Sequence, residues 1–328
     1  MSDPARILVR APNWVGDVVL SLPALRDVRS AFPASRIEVL ARPWVAGLYG
    51  AVPEVDKVVE SRGIAADAAT LRGRHDLALL LPNSFASAFA LWRAGVPERW
   101  GYATDARGAL LTRSCRVPAS VRGRSQLYYY RAMLEGLGLA VAGPPDASLA
   151  CPEAWAERGR ALLGAPGPWI GVNPGAAYGT AKRWPPERFA AAAALVARRA
   201  GARIAIVGAG SERPLAERIA AQLGSSARIL CGETTLAELV GVLRELRLLL
   251  TNDSGPMHLA AALGTPLVAV FGSTDWSETS PVSERARVVR EETECAPCRL
   301  RECPIDHRCM TRVAVDRVAR SALELLAA

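Results

Sequence analysis

The chain has 328 residues, of which half are apolar and 22% are charged. That is more chain than one hydrophobic core usually supports, so we expect two folded domains and no long disordered stretch. The net charge of +8, from 40 Lys and Arg against 32 Asp and Glu, suits an anionic membrane surface or a phosphorylated substrate, or reflects only an Arg-rich surface. Aromatic residues are few and no basic run is interleaved with them, which disfavours a nucleic-acid-binding protein.

The sequence also bears on the cellular compartment. No apolar run approaches the roughly 18 residues of a membrane-spanning helix, and the N-terminus lacks the pattern of a secretory signal. Seven cysteines, an odd number, favour reduced thiols over a complete set of disulfides. We therefore expect a cytoplasmic protein.

Short apolar runs alternate with helical patterns in the first half of the chain. Residues 5–10, 36–41 and 76–82 are predicted to form buried strands, and residues 18–32 an amphipathic helix. Pro23 inside that stretch predicts either a kink or a helix that begins only just before it. The strand–helix–strand order predicts a parallel sheet covered on both faces.

Asp17 stands between a glycine and the hydrophobic segment that follows the first predicted strand. An Asp at the start of a helix commonly caps it by accepting backbone N–H groups of the first turn. A carboxylate that faces a ligand-binding cleft can instead act as a general base. The neighbouring residues leave both interpretations open.

The second half repeats the alternation of strands and helices. The predicted elements, in chain order, are a strand and loop at 168–175, a helix at 186–201, a strand at 202–210, a helix that ends at Gly224, a strand at 227–232, a helix at 236–246, a strand that ends at Asp253, a helix at 256–264 and a strand at 266–272. We predict one domain over residues 1–155 and a second over 156–311. The final helix, 312–328, is predicted to pack back on the first domain.

The turn after the strand that ends at Asp253 is the first candidate site. Pro256 favours a helix start there, and Ser254 or Gly255 can cap it. Backbone N–H groups at such a start, with the positive end of the helix dipole, favour an anion such as a diphosphate. His258 falls in the first turn and can reach the same ligand. The alternative is an ordinary capped turn with a surface histidine.

The loop within residues 173–189 is the second candidate. Glycines and other small residues follow a buried strand, so backbone amides can approach phosphate oxygens closely. Lys182 and Arg183 add positive charge, which could offset the charge of a leaving diphosphate. A solvated loop with two exposed cations is the alternative.

A glycine-rich turn at 207–214 follows the strand at 202–210. It matches only the first two glycines of the dinucleotide-binding pattern G-x-G-x-x-G, because Arg213 occupies the third position. The turn therefore favours the wall of a nucleotide pocket over the cofactor site of a dehydrogenase.

Four cysteines lie close together near the C-terminus, at Cys295, Cys298, Cys303 and Cys309, with His307 among them. Their spacing permits a tetrahedral zinc site that would brace an irregular loop. Free thiols and a disulfide formed on oxidation are the alternatives, and the sequence does not choose among the three. No Ser/His/Asp set, P-loop or Asp-x-Asp metal pattern is present.

Four stretches together carry a family resemblance: residues 10–33, 39–56, 173–190 and 251–281. They closely resemble the ADP-heptose:lipopolysaccharide heptosyltransferases of Gram-negative bacteria, which form glycosyltransferase family nine. The resemblance runs from about residue 5 to the final helix. The forms "PNWVGD" and "PGAAYGTAKRW" resemble type II members of the family more than type I members.

The resemblance implies a GT-B fold, an α/β architecture in which two Rossmann-like domains with parallel sheets face each other across a cleft. It implies transfer of a heptose from ADP-heptose, with inversion, to the first heptose of heptosyl-Kdo-lipid A. A type I enzyme, or another member that acts on a different acceptor, is the alternative. The resemblance implies no metal site and no required cofactor beyond the donor substrate.

The resemblance also implies roles for individual residues. Asp17 would be the catalytic base and Lys182 would stabilise the departing ADP. The residues implied in substrate binding are Thr180, Ser211, Glu212, Thr234, Asp253, Ser254, Gly255 and His258. An acceptor built on anionic lipid A would give the basic chain a partner, the cytoplasmic surface of the inner membrane, which it would bind peripherally.

Overall fold

The computed structural model describes residues 4–141 and 143–328. The chain divides into two units, with the boundary between Ala147 and Ser148. The predicted boundary between residues 155 and 156 therefore lies too late in the chain.

The shift of the boundary follows from a contact between two helices. The helix Glu153–Leu163 packs against the helix Leu236–Glu245, which belongs to the second unit. The two helices meet at Gly159 and Gly241, where a Cβ on either glycine would overlap the backbone of the other helix. Because glycine has no side chain, the two helices can cross closely at this point. Residues 148–155 therefore belong to the second unit.

The first unit alternates strands and helices. Its strands are β1 (Arg6–Arg10), β2 (Arg36–Ala41), β3 (Lys57–Glu60), β4 (Leu77–Leu80), β5 (Glu98–Tyr102) and β6 (Arg113–Cys115). Its helices are α1 (Val15–Ala31), α2 (Pro43–Ala46), α3 (Ile64–Leu71), α4 (Phe85–Arg93) and α5 (Gln126–Gly136).

The first sheet has the order β3-β2-β1-β4-β5-β6, and every pairing in it is parallel. In the central strand, Ile7 lies between Ile37 and Leu77 and is fully buried. The predicted buried strands and the doubly covered parallel sheet are confirmed. The helix that follows begins at Val15 and includes Pro23, so the expectation of a helix start just before the proline was wrong.

The second unit repeats the pattern. Its strands are β7 (Trp169–Asn173), β8 (Arg203–Ile206), β9 (Ala227–Ile229), β10 (Leu248–Asn252), β11 (Leu267–Phe271) and β12 (Ala286–Arg290). Its helices are α6 (Glu153–Leu163), α7 (Pro186–Ala200), α8 (Arg213–Leu223), α9 (Leu236–Glu245), α10 (Gly255–Ala262), α11 (Trp276–Thr279), α12 (Arg308–Thr311) and α13 (Val315–Ala327).

The second sheet is also parallel throughout, in the order β12-β11-β10-β7-β8-β9. Strands β7, β10 and β11 are buried along their whole length, as expected for a sheet that helices cover on both faces. The chain therefore contains two doubly wound α/β sheets of six strands each.

The C-terminal helix α13 packs on α7 and on the second sheet. Its buried side chains Val318, Ala322 and Leu325 belong to the same hydrophobic cluster as Ile170 of β7. The prediction that this helix returns to the first domain was wrong, because its apolar stripe completes the core of the second. Within the described ranges, no helix is both long and apolar enough to cross a bilayer.

Candidate functional site

The carboxyl ends of β7 and β10 meet where the strand order of the second sheet reverses. Asn173, the last residue of β7, pairs in register with Thr251 of β10. Chains leaving two such strands run to opposite sides of the sheet, which opens a crevice that commonly binds ligands. Six of the predicted site residues lie on the two segments that leave this point: Thr180, Lys182, Asp253, Ser254, Gly255 and His258. The first sheet has its own reversal between β1 and β4.

A buried hydrogen-bond network fixes this end of the sheet. The Asn173 Oδ1 accepts from the Ser254 hydroxyl (2.8 Å) and from the Thr251 hydroxyl (3.2 Å), and its Nδ2 donates to the Val207 carbonyl (3.0 Å). Ser254 in turn accepts from the backbone N–H of Met257 (3.4 Å). Ser254, rather than Gly255, is therefore the N-cap of α10, as its side-chain oxygen satisfies a donor of the first turn.

Asn252 holds both ends of the loop that carries Lys182. Its Nδ2 donates to the carbonyls of Pro174 (2.8 Å) and Gly175 (3.3 Å), and its Oδ1 accepts from the backbone N–H of Trp184 (3.0 Å). The side chain is fully buried. Asn252 was not among the site residues predicted from the sequence, although an amide residue that ends an apolar strand was an available signal.

Lys182 and Asp253 form an ion pair at the mouth of the crevice. The Lys182 Nζ lies 2.7 Å from the Asp253 Oδ2, and the two side chains are only 12% and 5% exposed. The Thr274 hydroxyl donates to the same oxygen (2.6 Å), and the Thr279 hydroxyl lies 3.4 Å from it. A buried charge of either sign is costly alone, so each of the two residues stabilises the other. The alternative of an exposed loop cation is excluded for Lys182.

His258 lies in the first turn of α10 and is buried, which excludes the alternative of a surface histidine. Burial lowers its pKa to about 4; the charge of Asp253 acts in the opposite direction and that of Lys182 in the same one. The imidazole is therefore neutral near pH 7. Its Nδ1 has no hydrogen-bond partner among the described residues, although it is buried. A neutral ring with an unsatisfied nitrogen can donate to or accept from a ligand but adds no positive charge.

The cysteine-rich segment braces the Lys182 loop from the other side. The Arg301 carbonyl accepts from the backbone N–H of Ala181 (2.9 Å), and the Nε2 of His307 lies 2.9 Å from the Ala181 carbonyl. A Cβ at Gly179 would overlap the backbone of Arg301, so only glycine allows the two segments to approach this closely. The segment thus holds the backbone of the loop, through the Arg301 carbonyl and the His307 side chain.

The four clustered cysteines are free thiols in this structure. Residues 4–141 and 143–328 hold no group of three or more His, Cys, Asp or Glu side chains with the geometry of a metal site. Burial, with smaller contributions from Cys295, Cys298 and Cys303, raises the pKa of Cys309 to about 11. The Cys309 thiol is therefore protonated near neutral pH.

Glu212 lies beneath the loops that follow β7 and β8. Its Oε2 accepts from the backbone N–H of Ala209 (2.8 Å), and a Cβ at Gly175 or Gly208 would overlap its carboxylate. The side chain is buried. Glu212 therefore supports the floor of the predicted nucleotide pocket from within the protein.

Three further predicted residues lie at the carboxyl edge of the second sheet. Thr180 and Ser211 are exposed and Thr234 is partly exposed. Thr180 begins the short 3-10 turn Thr180–Lys182, and Ser211 lies in the turn after β8. Their side chains are available to a ligand, in contrast to that of the buried Glu212.

Asp17 lies in the first unit, in the first turn of α1, and is partly buried. Trp14 occupies the N-cap position of that helix, so Asp17 is not its N-cap residue. A carboxylate in the first turn is nevertheless stabilised by the helix dipole. Burial, followed by the charge of Asp17, raises the pKa of Tyr130 well above its usual value, so the carboxylate lies near this buried aromatic residue.

Arg10 organises the turn between β1 and α1. Its guanidinium is buried and donates to the side chain of Asn13 (2.9 Å) and to the carbonyl of Leu40 (3.2 Å). Burial, and next the charge of Arg42, lower its pKa to about 10, which still leaves it charged at neutral pH. Arg10 was not selected from the sequence, because an arginine at the end of a strand gives no local sign that it is buried.

Known glycosyltransferases resemble this chain in sequence. The sequence model of glycosyltransferase family 9 (heptosyltransferase) matches residues 65–308. Lipopolysaccharide heptosyltransferase 2 of Escherichia coli is 32% identical over 310 residues, which cover 87% of this chain and 88% of that protein. Lipooligosaccharide heptosyltransferase 2 of Haemophilus ducreyi is 32% identical over 316 residues, with the same coverage.

A solved structure agrees with these relatives. The structure of E. coli ADP-heptose lps heptosyltransferase II superposes with a TM-score of 0.87 at 30% identity and covers 98% of each chain. Its sequence and its fold therefore both match over nearly the whole chain. The chain belongs to glycosyltransferase family 9, the heptosyltransferases, and is a glycosyltransferase.

Proposed function

We propose that the chain moves L-glycero-D-manno-heptose from ADP-heptose to the first heptose of the lipopolysaccharide inner core, with inversion at the anomeric carbon. One observation carries the proposal: the Lys182–Asp253 pair lies at the reversal point of a sheet in a chain 32% identical to heptosyltransferases 2. The names of these relatives supply the substrate class, and the chemistry of the crevice supports it.

The donor diphosphate would bind beside Lys182. Its negative charge would replace the Asp253 carboxylate as the partner of the Lys182 ammonium, and the backbone N–H groups at the start of α10 would add to the attraction. The carboxylate of Asp253, still held by Thr274, would then accept hydrogen bonds from heptose hydroxyls. The neutral His258 would supply one further hydrogen bond through its unsatisfied Nδ1.

Asp17 would act as the base. The acceptor hydroxyl gives its proton to the carboxylate while its oxygen attacks the anomeric carbon from the face opposite the diphosphate. The bond between that carbon and the phosphate oxygen breaks, and ADP leaves with the electron pair. Lys182 offsets the charge on the leaving diphosphate, a role that a metal ion plays in other enzymes. The proposed reaction needs no metal and no covalent nucleophile.

The acceptor determines where the enzyme would work. Lipid A and its Kdo sugars are anionic and membrane-bound, so we place the reaction on the cytoplasmic face of the inner membrane, with the enzyme bound peripherally. The net charge of +8 supports this location.

The test is ADP release by purified protein that is given ADP-heptose and monoheptosylated Kdo-lipid A, with EDTA present. We expect acceptor-dependent release from the wild type, and a loss of about 100-fold or more in Asp17→Asn. This variant keeps the size of the side chain, so ADP binding should be retained as the control. Wild-type activity in the Asp17→Asn variant would contradict the proposal that Asp17 is the base.

The same assay separates the acceptor classes. Release with heptose-free Kdo-lipid A, but not with the monoheptosylated form, would identify a type I enzyme instead. Binding of ADP-heptose without release on either acceptor would identify a nucleotide-sugar-binding protein that is not a transferase for these acceptors.

A further inference from the structure

Helices α3 and α4 of the first unit lie side by side on one face of the first sheet. Their inner side chains, among them Leu71 and Leu91, belong to the same hydrophobic cluster as Leu8 of β1. Their outer surface is also apolar: Ile64 is 39% exposed, and α3 otherwise presents mainly alanines there. We call this outer surface the α3–α4 face.

A row of aromatic side chains runs along α4. Phe85, Phe89 and Trp92 follow one another at helical spacing, and their rings stack, with centroids 6.0 Å apart for the first pair and 5.6 Å for the second. Phe85 is 44% exposed and Trp92 is 50% exposed. Adjacent exposed large apolar residues on a folded protein are unusual and mark interaction surfaces.

The charge around the α3–α4 face is mainly positive. One exposed carboxylate lies at its edge, that of Asp105, whose Oδ2 accepts from the backbone N–H of Phe85 at the start of α4 (2.7 Å). Asp67 is the only acidic residue on the two helices, and it is buried, where it accepts from the Ser61 hydroxyl and the Arg62 backbone N–H at 2.7 Å each. Four exposed arginines flank the helix ends: Arg62, Arg72, Arg74 and Arg93. None of these four forms an ion pair with a carboxylate of the described ranges.

We propose that the α3–α4 face docks on an anionic lipid bilayer. The rings of Phe85 and Trp92 would enter the boundary between headgroups and acyl chains, a position that tryptophan favours because its ring is partly polar. The unpaired arginines would contact lipid phosphates, and their charge would be screened by salt. An apolar surface with no exposed carboxylate on its helices, and with four unpaired arginines at its edge against the one carboxylate of Asp105 that contacts Phe85, is complementary to such a bilayer.

The inference deepens the proposed function, on which it rests for the choice of a bilayer as the partner. An enzyme that acts on a lipid-bound acceptor benefits from a defined membrane face, because binding raises the local concentration of the acceptor. The α3–α4 face would supply this contact from side chains that take no part in the proposed chemistry.

Vesicle co-sedimentation tests the inference. We expect the wild type to bind vesicles of phosphatidylglycerol and phosphatidylethanolamine more tightly than phosphatidylcholine vesicles, and less tightly as salt is added. Phe85→Ser/Trp92→Ser and Arg72→Glu/Arg93→Glu should each weaken binding roughly tenfold or more. The matched control is Trp276→Ser in the second unit, which removes a tryptophan that is 46% exposed and lies 5.0 Å from a guanidinium, that of Arg290. It should bind as the wild type does.

Transfer to a soluble acceptor that lacks its acyl chains separates this inference from the proposed function. Both double variants should keep wild-type transfer to that acceptor and wild-type thermal unfolding. Unchanged vesicle binding in both, or no vesicle binding by the wild type, would overturn the docking surface while soluble transfer still supports the function. A wild-type dimer in sedimentation velocity that Phe85→Ser/Trp92→Ser dissociates would also overturn it, since the face would then bind a second copy.

Discussion

The Nζ of Lys182 and the Oδ2 of Asp253 lie 2.7 Å apart, although 71 residues separate them in the sequence. Lys182 lies on the loop after β7 and Asp253 lies on the turn after β10. Because these two strands are neighbours in the sheet, the two residues come together. The pair joins the cation proposed to receive the diphosphate to the carboxylate proposed to bind the sugar. The proposed ligand contacts and the local stability therefore depend on the same ion pair.

Replacing Lys182 should affect both the transfer activity and the free energy of unfolding. We expect Lys182→Met to lose about 100-fold or more in transfer, because the charge on departing ADP is no longer offset. It should also lower the free energy of unfolding by about 3 kcal/mol, because the buried Asp253 carboxylate loses its partner. Steady-state kinetics and urea denaturation measure the two effects. Lys57→Met, at an exposed residue of β3, is the matched control and should change neither.

The chain has only two lysines, Lys57 and Lys182, which makes chemical labelling informative. Amine acylation followed by mass spectrometry should modify Lys57 at the same rate with and without ADP. Labelling of Lys182 should fall when ADP is present, since the diphosphate would cover its ammonium group. Equal labelling of Lys182 with and without saturating ADP would contradict the proposed phosphate contact.

The buried His258 should make stability depend on pH. Its folded pKa of about 4 lies below the ordinary value of 6.5, so the unfolded chain binds the proton more readily between these values. The stability this residue contributes is complete above pH 6.5 and is lost as the pH falls toward 4. Between pH 7 and pH 5 the loss amounts to about 2 kcal/mol.

Urea denaturation of the wild type and of His258→Gln at both pH values measures this contribution as a difference. The variant should lose less stability on acidification, whatever the other titrating groups contribute to both proteins. Parallel losses in the two proteins would show that His258 does not carry the effect.

Gly179→Ala should loosen the contact between the Lys182 loop and the cysteine-rich segment. The added methyl group would overlap the backbone of Arg301, so one of the two segments must move, at a cost of about 2 kcal/mol. We expect a lower melting temperature and weaker ADP binding. Gly47→Ala is the control, because a Cβ there meets no atom within 4 Å. Similar behaviour of the two variants would argue against the bracing role of the segment.

Much of the architecture could be read from local patterns. Runs of apolar residues predicted the buried strands β1, β2 and β4, since a strand covered on both faces needs apolar side chains throughout. The helix start at α10 followed from Ser254 and Pro256, because capping depends only on neighbouring residues. Asp17 and Lys182 were candidates from their local sequence, the family resemblance implied their roles, and those roles remain predictions.

Other features could not be read locally, because they depend on which strands are neighbours. The partners of Asn173 and Asn252 come from the next strand of the sheet and the loop after it. Helix α13 packs on the second unit because its apolar side chains complete the hydrophobic core there, which the periodicity of the helix alone does not show. The boundary at Ala147 followed from a helix crossing that two distant glycines permit.

The sequence by itself therefore determined the two parallel α/β sheets, the family and the segments that carry the chemistry. These depend on periodicity, capping and spacing, which act over a few residues. Only the tertiary structure decided that Lys182 pairs with Asp253, that His258 is buried and neutral, and that Arg301 braces the Lys182 loop. Such contacts join residues far apart in the chain, so strand order and burial determine them.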